Sequence, residues 1–281
     1  MNKGEVIVIV GPTASGKSDF AVDLAIKNNG EIISADSRQI YKGLDIGTGK
    51  ITKKEMKGIK HYMLDLCNLE DTFSVAEYKH IAQPILENII HRGKTPIICG
   101  GTGQYIDSLI FNTTIPQVKP NKELREKLEK KTTSELYELL CKKDSRRGKE
   151  IDKHNRVRII RALEIIESLG KVPTQEIPKF IYKTKIYLLS PTRKEIRERV
   201  TARLHKRLKI GMIDEVKNLI KKGYKSENMK KFGLEYVAIS KFLEGKISEE
   251  EMKQEIITKS MQYAKRQDTW NQKYRKIAEI I

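Results

Sequence analysis

The chain has 281 residues, with 55 lysines and arginines against 37 acidic residues, a net charge of +18. That length buries one good core and leaves room for a second, smaller unit. The positive excess is more than a phosphate pocket needs and points to a polyanionic partner, nucleic acid first. Cys67, Cys99 and Cys141 are far apart and lack C-x-x-C pairing, which speaks against a zinc site or a disulfide framework and fits a reducing cytoplasm. No apolar run approaches the ~18–20 residues that span a bilayer, and the first strand starts too early for a signal peptide ahead of it.

In chain order, the apolar run Val6–Val10 leads into Gly11, Pro12, Thr13, Ala14, Ser15, Gly16, Lys17 and Ser18, and a helical pattern follows. This is G-x-x-x-x-G-K-[ST] between a buried strand and a helix. Its backbone N–H groups and the helix N-terminus converge on an anion. Lys17 would neutralise phosphate oxygens and the Ser18 hydroxyl would ligate Mg²⁺. The loop leaves open whether a phosphate is transferred, hydrolysed or expelled.

Residues 31–35 read as a second strand that delivers Asp36 at its C-terminal end, where open parallel sheets bind ligands. The segment Asp45-Ile46-Gly47-Thr48-Gly49-Lys50 is Gly-rich and weak evidence alone. Residues 61–66 suggest a further short strand and 74–90 a helix. Residues 96–99 form another buried strand, ending in Gly100-Gly101-Thr102-Gly103 before a helix. The Thr102 hydroxyl is expected to face the anion held by the first loop.

From about 118 to 182 the chain carries no convincing buried strand and reads as helices rich in Lys, Arg and Glu, a helical insertion. Thr132 with Glu135 forms a capping box. A helix over 155–169 places Arg158 and Arg161 on one face, suited to phosphate contacts. A return strand at 185–189 follows. The helix over 195–210 carries Arg199, Arg203 and Arg207 in one stripe, which a bound anion would favour. Ser248 with Glu251 caps a last helix that ends in Lys265-Arg266-Gln267-Asp268-Thr269-Trp270.

Taken together, these segments resemble the tRNA dimethylallyltransferase (tRNA isopentenyltransferase) family, bacterial type, over nearly the whole chain. The resemblance rests on residues 11–18, Asp36–Tyr41, Asp45–Lys50, Gly100–Ile106, Arg158–Glu164, Gly211–Val216 and Lys265–Trp270. It implies an α/β, P-loop NTPase-like parallel sheet flanked by helices. Residues 1–117 and 183–281 would form the catalytic core, and 118–182 the insertion contacting tRNA. The implied reaction transfers the dimethylallyl group of dimethylallyl diphosphate to N6 of the adenosine at tRNA position 37 and releases diphosphate. Asp36 matches the family's general base, Thr102 and Arg203 its diphosphate contacts, and Gly11–Ser18 the diphosphate loop. Ser37, Arg38, Gln39, Arg125, Val157, Arg158 and Arg161 match positions that touch the tRNA anticodon stem-loop. The resemblance further implies Mg²⁺, a cytoplasmic location, no membrane association and a monomer.

Two departures stand out. Around Phe232–Tyr236 the family more often shows Gly-Tyr-Lys/Arg, so no RNA contact is assigned there. The chain also stops soon after Trp270, without the zinc-finger extension of eukaryotic members. A P-loop small-molecule kinase and an isopentenyltransferase acting on free adenine nucleotides are the competing readings.

Overall fold

The computed structural model describes residues 4–174 and 177–281. Residues 1–3 of the expected core and 175–176 of the expected insertion lie outside the described residues. The chain divides into two compact units, residues 1–112 with 179–281, and residues 113–178. The first unit closes on itself where the second departs: Asn112 N donates to Lys179 O at 3.1 Å, and Lys179 N to Asn112 Oδ1 at 2.8 Å. That clasp puts the unit boundary a few residues ahead of 118 and 182, where composition alone changes.

The first unit is built on one parallel sheet of order β3-β2-β4-β1-β5-β6. Its strands are β1 (Glu5–Val10), β2 (Gly30–Ser34), β3 (His61–Tyr62), β4 (Thr95–Cys99), β5 (Lys183–Leu188) and β6 (Glu279–Ile280). Strand side chains alternate between faces, and a sheet covered on both sides needs apolar residues at every position. In β1, Val6, Val8 and Val10 pack on one face, against α2 (Val75–His91) and α3 (Gly103–Ile110). Ile7 and Ile9 pack on the other, against α1 (Lys17–Lys27). Of the strand expected over 61–66 only two residues pair with β2. Met63 and Asp65 take positive φ, which breaks the extended run.

The second unit holds α4 (Lys122–Glu129), α5 (Thr133–Lys143), α6 (Ser145–Glu150) and α7 (Arg156–Leu169) around a core of its own. Back in the first unit come α8 (Arg193–Lys209), α9 (Met212–Lys221), α10 (Ser226–Phe232), α11 (Leu234–Leu243) and α12 (Glu249–Asn271). Their apolar faces meet in a separate cluster that includes Leu204, Val216, Phe232, Tyr236 and Ile256. The capping boxes at Thr132, Thr192 and Ser248 fix where α5, α8 and α12 begin. No helix among the described residues is long and apolar enough to cross a membrane.

Candidate active site

Register lines up the carboxyl ends of the strands: Ile9 lies beside Cys99, Ser34 beside Cys99, and Val10 beside Leu188. The turns leaving β1, β2 and β4 therefore emerge side by side, as expected for a ligand site on an open parallel sheet. They border a cavity of about 680 Å³, lined among others by Thr13 to Ser18, Asp36, Gln39, Gly100, Gly101, Arg203 and Arg207.

The phosphate loop is held in an anion-ready shape. Gly16 sits at φ 91, a region open to glycine at little strain. Ala14 sits at φ 60, where a non-glycine residue is uncommon and the strain belongs to the site. Neither α1 nor α3 has a side-chain cap at its N-terminus, so their first amides are left for a ligand. Lys17 Nζ donates to Pro12 O at 2.6 Å and to Ser15 Oγ at 3.3 Å. Burial pushes its ammonium down to about 8.

Asp36 is oriented by its own turn. Its Oδ1 accepts from Arg38 N at 2.8 Å and from Gln39 N at 3.4 Å, an Asx-type turn at the end of β2. Oδ2 carries no hydrogen bond among the described residues, and Asp36 lines the cavity. Ser37 N donates to Thr102 Oγ1 at 3.0 Å, tying the Asp36 turn to the start of α3. The Thr102 oxygen is thus an acceptor here, which leaves its hydroxyl proton free for a ligand. Gln39 Nε2 donates to Gly49 O at 3.2 Å, and Arg38 donates from its guanidinium to Lys231 O.

The stripe on α8 faces the cavity. Arg203 Nη2 donates to Thr13 Oγ1 at 2.9 Å, and Arg199 Nη1 donates to Ser15 O at 3.2 Å. Burial, with the neighbouring Arg207 charge, lowers Arg203 to about 10. Arg207 Nη1 donates to Gly47 O at 3.1 Å and lies 3.8 Å from Glu235, whose carboxyl burial pushes upward. Glu195 lies 3.6 Å from Arg199 and Glu235 beside Arg207, so among the described residues Arg203 is the member of the row with no carboxylate in ion-pair reach, and a bound anion would offset its charge.

Several residues of this arrangement are missed by sequence reading. Glu215 on α9 accepts from the amides of Asp45, Ile46 and Gly47 at 2.8–3.0 Å, and Tyr236 Oη donates to it at 2.7 Å. The segment 232–236 therefore braces the Gly-rich loop from behind. Tyr263 and Gln267 on α12 also line the cavity. Gln267 has a local signal in its place within Lys265–Trp270, whereas Tyr263 lies outside that motif.

The remaining candidates lie on the second unit. Val157 is 78% exposed, and Arg158 is exposed with no hydrogen bond from its guanidinium among the described residues. Arg125 and Arg161 instead hold the fully buried Glu164: Arg125 Nε and Nη2 approach it at 2.7 and 2.8 Å, and Arg161 Nη1 at 3.2 Å.

A sequence model of the family described as IPP transferase matches residues 39–274. The chain belongs to this family. A tRNA dimethylallyltransferase of Caldanaerobacter subterraneus subsp. tengcongensis is 42% identical over 96% of this chain and 89% of its own length. One from Staphylococcus haemolyticus is 40% identical over 96% and 84%. Among solved structures, an IPP transferase family member from Bacillus halodurans, a full-length tRNA isopentenylpyrophosphate transferase, covers 98% of this chain and 88% of its own. It is 33% identical with a TM-score of 0.71. A eukaryotic dimethylallyltransferase captured acting on tRNA covers 99% of this chain and 73% of its own, at 27% identity and a TM-score of 0.86. The fold is that of IPP transferases, α/β with a P-loop and a parallel sheet flanked by helices.

Proposed function

We propose that this IPP transferase family member moves the dimethylallyl group of dimethylallyl diphosphate to N6 of the adenosine at tRNA position 37, next to the anticodon, with release of diphosphate. One observation carries the reading. The phosphate loop, Asp36 and Arg203 line a single cavity. Relatives of about 40% identity named tRNA dimethylallyltransferase favour it over a kinase.

The adenine N6 lone pair is delocalised into the ring, so the allylic carbon must be made electrophilic by a departing diphosphate. Residues 11–18 cradle that diphosphate. Thr102 and Arg203 meet the charge that grows as the C–O bond breaks. Asp36 holds N6 in line and accepts its proton, and the new C–N bond forms as diphosphate leaves. The adenine reaches the cavity after leaving its stack, which costs a few kcal/mol.

No cluster of three or more acidic, histidine or cysteine groups suited to a metal occurs among the described residues. Mg²⁺ needs no such cage, since it takes one or two protein oxygens and fills its shell with substrate phosphate and water. The Ser18 hydroxyl beside the cradle fits that donor set. When bound there with the diphosphate, the ion would offset leaving-group charge.

The RNA is gripped through phosphates by Ser37, Arg38 and Gln39 in the first unit. In the second, Val157 and Arg158 touch it, with Arg125 and Arg161 contributing the donors that Glu164 leaves unused. This reading makes the enzyme a cytoplasmic protein acting as a monomer. The test is incubation with labelled dimethylallyl diphosphate and tRNA, AMP or ATP, followed by digestion. Prenylated adenosine is expected from tRNA alone. Phosphorylation of a small acceptor by ATP, with no prenylated adenosine, would overturn the reading.

A further inference from the structure

The buried face of α12 runs through Met252, Ile256, Ile257, Ser260 and Ala264, and then places a long polar side chain, Gln267, at a position 7% exposed. A buried amide is tolerated only when both its ends are bonded, because an orphaned group costs about 1–3 kcal/mol. Gln267 meets that demand across the site. Its Oε1 accepts from Thr13 N at 2.7 Å, and its Nε2 donates to Gly101 O at 3.1 Å. The two partners are a donor and an acceptor, so they fix which end of the amide faces which loop.

Both partners belong to turns that border the cavity. Thr13 is in the phosphate loop, and its hydroxyl carries Arg203. Gly101 directly precedes Thr102, whose oxygen carries the amide of Ser37. A Cβ at Gly101 would overlap Gln267 Nε2, so any side chain there would displace the amide. The amide therefore spans the gap between the two loops, and no other side chain among the described residues bonds to both.

We propose that Gln267 is a positioning residue that fixes the spacing of the phosphate loop and the Thr102 turn, so that a diphosphate is met by both at once. The proposal rests on the phosphate loop holding a diphosphate, and its kinetic arm rests on the allyl-transfer reading above. Replacing the amide by an apolar chain of similar length leaves Thr13 N and Gly101 O unpaired and lets the loops drift. A misplacement of about 1 Å is enough to lower turnover ~100-fold.

The experiment compares Gln267→Met and Gln267→Glu with the unaltered chain. It measures inorganic diphosphate binding by calorimetry, kcat and KM for donor and tRNA, and the melting temperature. Gln267→Met is expected to weaken diphosphate binding ~10-fold and to lower kcat ~100-fold, with the tRNA KM unchanged and a melting temperature lowered by several degrees but still cooperative. Gln267→Glu supplies an acceptor for Thr13 N but donates to Gly101 O only when protonated. Its kcat relative to the unaltered chain should therefore rise as pH falls, whereas the Gln267→Met ratio stays flat. That divergence is not produced by a residue that only packs.

Unchanged diphosphate affinity and kcat in Gln267→Met would overturn the proposal. So would losses that track a collapse in melting temperature, together with a flat pH ratio for Gln267→Glu. If the unaltered chain binds diphosphate but makes no prenylated tRNA, the proposed reaction fails instead, and Gln267 is judged on diphosphate affinity alone.

Discussion

The Lys17 ammonium lies against Pro12 O and Ser15 Oγ in a pocket that strips much of its water, and burial lowers it from 10.5 to about 8. The unfolded chain keeps the ordinary value, so below pH 8 the folded protein keeps this charge at a desolvation cost that the unfolded chain does not bear. Stability is reduced there and recovers as pH rises from about 8 toward 10.5. Lys17→Met is accordingly expected to raise stability at pH 7, by up to ~3 kcal/mol, in chemical denaturation. The same charge is what a diphosphate needs. Donor affinity should weaken above pH 8, by up to tenfold per unit, a break that Lys17→Met abolishes in titrations followed across pH.

At the same scale, Asp36 and Arg203 separate proton removal from charge stabilisation. Asp36→Ala removes a half-buried carboxylate that bonds only its own turn, so folding should survive while single-turnover rate falls ~10²–10⁴-fold. Near-normal turnover would exclude it as the base. Arg203→Ala should lower kcat ~10²–10³-fold with a smaller change in donor binding, because the leaving group gains charge in the transition state. Arg203→Lys is expected to restore only part, since an ammonium lacks the two-pronged fork.

Among elements, the loop over 45–50 is a Gly-rich turn whose shape is imposed from outside. Three of its amides end on Glu215, which comes from α9. Truncation in Glu215→Ala leaves those amides and Tyr236 Oη without an acceptor. A loss of about 2–4 kcal/mol is expected in denaturant melts, with a raised donor KM because this loop borders the cavity. Within the second unit, Arg125 and Arg158 offer a contrast. Arg125 holds a fully buried carboxylate, so Arg125→Ala should cost ~2–3 kcal/mol of stability, moderated by Arg161 and the Asn121 amide that remain on Glu164. Arg158→Ala should leave melting unchanged and weaken tRNA binding. Equal melting of the two variants would show that the Glu164 cluster carries little weight.

For the whole molecule, the net charge of +18 sets how it meets RNA. A protein that neutralises phosphates releases counterions, so tRNA affinity should fall steeply and linearly on a log–log plot against salt. Arg158→Ala should flatten that slope by about one contact. A slope near zero in filter-binding or calorimetric measurements would detach the basic surface from RNA binding.

What the sequence determined by itself is what short spacing can encode. The phosphate loop, the strand ends bearing Asp36 and Thr102, and the capping boxes at Thr132 and Ser248 each depend on residues a few positions apart, where backbone geometry leaves little choice. The arginine stripe on α8 was equally visible, as helical spacing alone puts its members on one face. The tertiary structure decided which of these would cooperate. Gln267 meets Thr13 across 254 positions, and Glu215 meets the loop over 45–47 across about 170. Helical spacing offered Arg161, and the family resemblance Arg125, as RNA contacts, yet a buried carboxylate from the same unit pairs with both. The first two pairings follow from how apolar faces pack α8, α9, α11 and α12 together, and the last from how α4 packs on α7 within the second unit. A polar side chain caught in that packing must find a partner wherever the fold places one, because leaving it unpaired costs more than the contact itself is worth in water.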